Sequence, residues 1–196
     1  MKKKQILLAD IAEIQTGYVF RGRLTEDPDG NVQVIQNKNL ADGKVDLSGL
    51  STVSIPARGN QWRVRRGDIL LRTRGNDIGV AVVEQEPQQE TIAASPLMLI
   101  RVKDAEQTDP AFLAWLLAQP AAQAHLNFFA QGTSVRVINK AAAESIPLSL
   151  PDKARQQLMA EINSLSAEIR RLTHELADRE AAYINTLLTR YDHARS

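Results

Sequence analysis

Arg65-Arg-Gly-Asp-Ile-Leu-Leu-Arg-Thr-Arg-Gly-Asn76 starts in a Gly-Asp turn, runs through the apolar Ile69, Leu70 and Leu71, and finishes on Arg72, Arg74 and Asn76. An apolar run of this kind between turn signals predicts a buried strand. Such a strand aims two guanidinium groups and an amide away from a rigid base. The same pattern also suits an ordinary strand and turn carrying solvated arginines.

Neighbouring segments place the strand in a β-rich domain. Trp62-Arg63-Val64-Arg65 alternates apolar with basic and predicts a half-exposed strand leading into the Gly67-Asp68 turn. Further strands are expected at 32–35, 78–83 and 96–102, where β-branched and aliphatic residues cluster. Turns are expected at Asp27-Pro28-Asp29-Gly30 and Asp42-Gly43. Leu7, Ile11 and Ile14 have helical spacing and are followed by Gly17, which predicts a short helix over 7–17. Up to residue 102 the pattern is that of a twisted or barrel-like sheet.

The pattern changes at Asp109-Pro110, a capping residue followed by proline at the first helical position, which predicts a helix ending near Pro120. A second short helix is expected over 121–130 and a helical turn over 141–145. Pro147 and Pro151 mark a domain boundary.

From Asp152 onward there is neither glycine nor proline. Leu158, Ile162, Leu165, Ile169, Leu172 and Leu176 recur at alternating intervals of four and three, with isoleucine at a and leucine at d of a heptad. The phase passes Arg179 and resumes at Tyr183 and Leu187. A seam this narrow requires a partner helix, and the alternative is packing on the chain's own globular part. The expected fold class is therefore α+β: a β-rich domain with short helices over 1–150, one long coiled-coil helix that pairs with another helix over 151–192, and a tail over 193–196.

Composition removes several classes of function. With 43% hydrophobic and 24% charged residues the chain has the make-up of a globular protein. It has no cysteine, which excludes disulfides, thiolate metal sites and a cysteine nucleophile. His125, His174 and His193 are scattered and form no zinc or triad spacing. Glu84 and Glu86 lie in a polar loop around Pro87, and no phosphate-cradling glycine motif is present. The basic N-terminus is followed too soon by Asp10 and Glu13 to be a signal peptide, and no stretch is apolar enough for a membrane span. A cytoplasmic, non-catalytic, metal-free protein without a cofactor of its own is expected.

Net charge is +1, so a polyanion would have to be met by a local patch. Four polar clusters fall at turn positions: Tyr18, Phe20 and Arg21; Gln36, Asn37, Lys38 and Asn39; Arg72, Arg74 and Asn76; and Gln131, Thr133, Ser134 and Arg136. Arginine suits guanine, asparagine and glutamine suit adenine, and lysine and hydroxyl side chains suit phosphate. The clusters thus carry the chemistry of DNA contact, or else ordinary turn polarity.

The order of motifs adds to this. Leu8-Ala-Asp-Ile-Ala-Glu-Ile-Gln-Thr-Gly-Tyr-Val-Phe-Arg21, Ile35-Gln-Asn-Lys-Asn-Leu40, Gly67-Asp-Ile-Leu-Leu-Arg-Thr-Arg-Gly-Asn76, Asp109-Pro-Ala-Phe-Leu113, Gly132-Thr-Ser-Val-Arg136 and Ile146-Pro-Leu-Ser-Leu-Pro151 together resemble the specificity subunit of type I restriction-modification systems. The resemblance implies a target recognition domain that reads half of a bipartite site in double-stranded DNA, followed by a helix that sets the distance between halves. Family members typically carry two such units, and this chain carries one. The implied form is a half-sized subunit whose homodimer reads a symmetric, interrupted site. The resemblance further implies methyltransferase subunits that use S-adenosylmethionine, a restriction translocase, and an antiparallel coiled coil, whereas isoleucine at a with leucine at d favours a parallel one. The alternative from another class is a coiled-coil adaptor or decoy that binds protein.

Overall fold

The computed structural model describes residues 5–56, 59–75, 78–130 and 137–193. They divide into two compact units, residues 1–157 and 158–196. In the first unit, β1 (Ile6–Leu7) precedes a single helical turn, α1 (Leu8–Ile11), and β2 (Ala12–Thr16). Next come β3 (Val32–Ile35), the short β4 (Leu40–Ala41) and β5 (Lys44–Val45), and β6 (Ser51–Val53). β7 (Ile69–Arg72), β8 (Val80–Val82), β9 (Thr91–Ala93) and β10 (Leu97–Val102) complete the main strands. The helices α2 (Pro110–Leu117), α3 (Pro120–Phe129) and α4 (Lys140–Glu144) then lead to β11 (Pro147–Leu148) and α5 (Lys153–His193).

A mixed six-stranded sheet has the order β2-β10-β7-β8-β5-β4, a three-stranded sheet the order β6-β3-β9, and β1 pairs with β11. The six-stranded and three-stranded sheets share one apolar cluster. Residue alternation explains the sharing. Along β7, Ile69 and Leu71 join the core beneath the helices, while Leu70 faces the three-stranded sheet. Along β10, Met98 and Ile100 take the first side and Leu97 and Leu99 the second. Both strands are therefore apolar at successive positions, since a strand covered on both faces has no solvent side. Val32 and Val34 of β3 point the other way, into a third cluster roofed by Tyr18, Phe20, Leu24 and Trp62.

Two local expectations differ from the structure. Residues 7–17 are not one helix: only Leu8–Ile11 is helical, and Ala12–Thr16 pairs antiparallel with β10 over five residues. The buried Ala12 and Ile14 alternate with the exposed Glu13, and cross-strand pairing outweighs the helical spacing of Leu7, Ile11 and Ile14. Trp62–Arg65 is not a strand either. Trp62 closes a 3-10 turn, Arg63 makes one isolated bridge to Ile92, and Val64 is buried.

The turn before β7 is fixed by Asp68, which is 1% exposed. Its carboxylate accepts from the Arg65 backbone N–H at 2.7 Å and from both Nε and Nη2 of Arg101, each at 2.7 Å. The adjoining carboxylate raises the Arg101 guanidinium pKa above its ordinary value, and burial opposes the shift. Gly67 has φ +85°, a conformation that costs glycine little.

Asp109 caps α2 by accepting the Phe112 N–H at 2.9 Å, as its place before proline predicts. The first turn of α5 is held by Gln156, 1% exposed, whose Oε1 accepts from the Asp109 N–H and whose Nε2 donates to the Gln107 and Pro151 carbonyls.

The second unit is the remainder of α5, a helix of 41 residues in all. At about 1.5 Å per residue it is about 60 Å long. The seam residues Leu158 to Leu187 are each between 47% (Leu187) and 67% (Leu176) exposed in the single chain. Ile184 and Leu188 add apolar surface beside the seam. Arg171 pairs with Glu168 and Glu175, and Arg179 with Glu175, all within one helix.

Candidate nucleic-acid interface

The C-terminal ends of four strands converge. β2 and β7 both lie antiparallel to β10 and so run in one direction, and β3 and β9 are parallel to each other. Beyond these ends lie Tyr18 to Phe20, Gln36 and Asn37, Arg74, and Ala94 to Pro96. All of these except Tyr18 line one open cleft of about 480 Å³ together with Gly22 and Leu24. Three polar clusters far apart in sequence thereby meet at a single surface.

Backbone bonds position the first wall. Tyr18 N–H donates to the Ala93 carbonyl at 2.8 Å, and the Tyr18 carbonyl accepts from Ser95 N–H at 2.8 Å. The approach is close because residue 17 is glycine: a Cβ there would stand 2.7 Å from the Ala94 carbonyl carbon. The Tyr18 ring packs edge-on against Phe20 at 4.7 Å and Trp62 at 5.0 Å. Tyr18 is thus a bracing residue, Phe20 lines the cleft, and Arg21 is exposed between two lining residues.

The second wall is a 3-10 turn, Asn37–Asn39. Asn39 is only 6% exposed, and its Oδ1 accepts the Gln36 N–H at 2.9 Å, which gives it a turn-holding role. Gln36 and Asn37 line the cleft and Lys38 is exposed beside them. Arg72 is half-buried. Its guanidinium lies over Gly79, where a Cβ would come within 3.3 Å of Cζ, and Nη2 donates to the Asn37 carbonyl at 3.1 Å. Arg72 therefore ties β7 to this turn, while Arg74 is exposed in the cleft and bridges Val137 in backbone pairing. Asn76 and the cluster Gln131, Thr133, Ser134 and Arg136 lie outside the described residues.

Val19, Leu24, Ser95 and Pro96 belong to the cleft and were not singled out from sequence. Val19 and Leu24 read as ordinary apolar residues, and the nearness of Ser95 and Pro96 depends on the pairing of β9 with β3. His125 is a structural residue: Nε2 lies 3.0 Å from Ser145 Oγ, linking α3 to α4. Among the described residues there is no group of three or more His, Cys, Asp or Glu that could hold a metal, and no helix is long and apolar enough to cross a membrane.

The strand ends thus bring arginine, amide and aromatic side chains to one open cleft. The chain belongs to the type I restriction modification DNA specificity domain family, whose model matches residues 2–176. The family is thus one of DNA specificity domains of type I restriction-modification systems.

Solved structures share the fold. A chain from a structure of the complex assembly and conformational transition of the type I R-M system is 18% identical with a TM-score of 0.62, covering 91% of this chain and 42% of that one. The type I restriction-modification S subunit from M. genitalium is 16% identical with a TM-score of 0.55, covering 89% of this chain and 41% of its own. The HsdS subunit from Thermoanaerobacter tengcongensis is 15% identical with a TM-score of 0.55, covering 85% and 37%. This chain thus spans about two fifths of the length of these structures. No curated protein matches it.

Proposed function

We propose that this chain carries one recognition unit of a specificity subunit, with a recognition domain over 1–150, a spacing and dimerisation helix over 151–192 and a short tail over 193–196. The cleft at the strand ends reads double-stranded DNA. Arg74, Gln36 and Asn37 face base edges, Lys38 and Arg21 hold phosphates, and Arg72, Asn39 and Tyr18 keep those readers in place. Asn76, Gln131, Thr133, Ser134 and Arg136 are further DNA-contact residues. The observation that carries the reading is the meeting of Phe20, Gln36, Asn37 and Arg74 in one cleft.

Two copies pair through Leu158, Ile162, Leu165, Ile169, Leu172, Leu176, Tyr183 and Leu187, whose exposure in the single chain suits a helix that finds its partner in a second copy. Pairing is antiparallel, so the dimer presents two identical readers to a symmetric, interrupted site. It directs methyltransferase subunits, which supply S-adenosylmethionine chemistry, and a restriction translocase to that site.

Co-expression with a type I methyltransferase subunit, followed by mapping of methylated bases in host DNA, tests this. A two-part palindromic pattern is expected. Absence of both a complex and methylation supports the adaptor reading, as does duplex binding that ignores salt, because only contact with phosphates releases counterions.

A further inference from the structure

Val19 is 69% exposed although it is aliphatic, and it lines the cleft together with Gln36, Asn37, Arg74 and Ser95. Its neighbours account for its direction. Tyr18 and Phe20 both turn toward the cluster on β3, β6 and β9, and the Tyr18 backbone is pinned to Ala93 and Ser95. The residue between them is left facing the opening. In a cleft shared with an arginine and two amides, this valine is an apolar contact point among hydrogen-bonding groups, suited to a ligand with an apolar feature. In the major groove that feature is the C5-methyl of thymine, which hydrogen-bonding side chains cannot recognise.

We propose that Val19 is a specificity-determining residue that packs on a thymine methyl group in each half-site. The inference rests on the DNA-reading role of the cleft and extends it from hydrogen-bonded to apolar readout. Gln36 and Asn37 on the facing wall carry amides of the kind that pair with adenine, so the cleft as a whole favours an A·T pair.

Deoxyuridine differs from thymidine only in lacking this methyl, which gives the test. Full-length protein is titrated with a duplex carrying the sequence found by methylation mapping, with each thymine replaced in turn by deoxyuridine. For one thymine per half-site, binding is expected to weaken about fourfold, the factor for removing one buried methyl-sized group. In Val19→Ala the thymine duplex has already lost about that factor, and the replacement then has little further effect. Val19→Thr, which keeps one methyl and exchanges the other for a hydroxyl, shows a penalty between those of wild type and Val19→Ala.

A half-site without thymine overturns the proposal. So do deoxyuridine penalties that persist undiminished in both variants, or a Val19→Ala defect confined to methyltransferase capture. Failure of the underlying reading is seen separately, as wild-type protein that does not prefer the mapped site to a scrambled duplex.

Discussion

Replacing Asp68 with Asn removes the charge at the root of β7 while keeping its volume. The carboxylate accepts three hydrogen bonds at 2.7 Å, one from the Arg65 N–H and two from Arg101. An amide can keep one as an acceptor but presents its own donor to the guanidinium. Removing one partner of a buried ion pair costs about 3–5 kcal/mol. The Arg101 side chain is 28% exposed and Nη2 also donates to the Arg63 carbonyl, so part of that cost is recovered through water and the remaining bond. A loss of about 2–3 kcal/mol is expected, or roughly 5–10 °C in melting temperature for a chain of this size. Urea unfolding followed by circular dichroism at fixed protein concentration measures it. In an Arg101→Met background the same substitution should cost at least about 1.5 kcal/mol less. A loss below about 0.5 kcal/mol, or an equal loss in both backgrounds, refutes the argument. Because Asp68 and Arg74 lie at opposite ends of β7, the preference for one DNA sequence over another should be unchanged in folded protein.

Other outcomes bear on the cleft and the helix. Arg74→Ala should weaken binding by about 1–3 kcal/mol for the target alone; equal weakening on every duplex in a competition assay removes it as a base reader. Lys38→Ala should instead weaken all duplexes alike and reduce the slope of log affinity against log salt by about one, which a titration series resolves. The chain has no native cysteine, so helix orientation is open to crosslinking. Leu158→Cys alone should form no disulfide between copies under oxidation, whereas a chain with cysteines at both 158 and 176 should, if the clean heptads centre the antiparallel seam. A 158-to-158 crosslink would mean a parallel pair.

The sequence made some elements plain and left others hidden for identifiable reasons. β7, β3 and β10 were legible because continuous apolar runs bounded by turn residues have few other uses, and α2 because Asp109 and Pro110 mark its start. The heptads of α5 were legible because a single helix has no use for so narrow a stripe. Residues 7–17 misled because Leu7, Ile11 and Ile14 suit a helix, while the strand at Ala12–Thr16 depends on a partner, β10, some eighty-five residues away. The short β4, β5, β6 and β9 have too few residues to show a period. In the cleft, residue type identified Arg74, Gln36 and Asn37, yet the same reasoning could not separate them from Asn39 and Arg72. That distinction lies in the Gln36 N–H taken by Asn39 and the Asn37 carbonyl taken by Arg72. Val19 escaped notice because nothing in a sequence tells an outward valine from an inward one.

The convergence of four strand ends has a consequence for how this module can change. Each residue proposed to read DNA sits one or two residues past the last ladder hydrogen bond of its strand, so the sheets end where the proposed contact chemistry begins. Exchanging Arg74 or Gln36 touches no packed core, and a different address could be written without refolding the domain. The buried supports set the limit on such rewriting: Gly17, where a Cβ would stand 2.7 Å from the Ala94 backbone, and Asn39 would have to stay. Libraries built for altered recognition should therefore vary Val19, Gln36, Asn37 and Arg74 together and leave those two residues untouched.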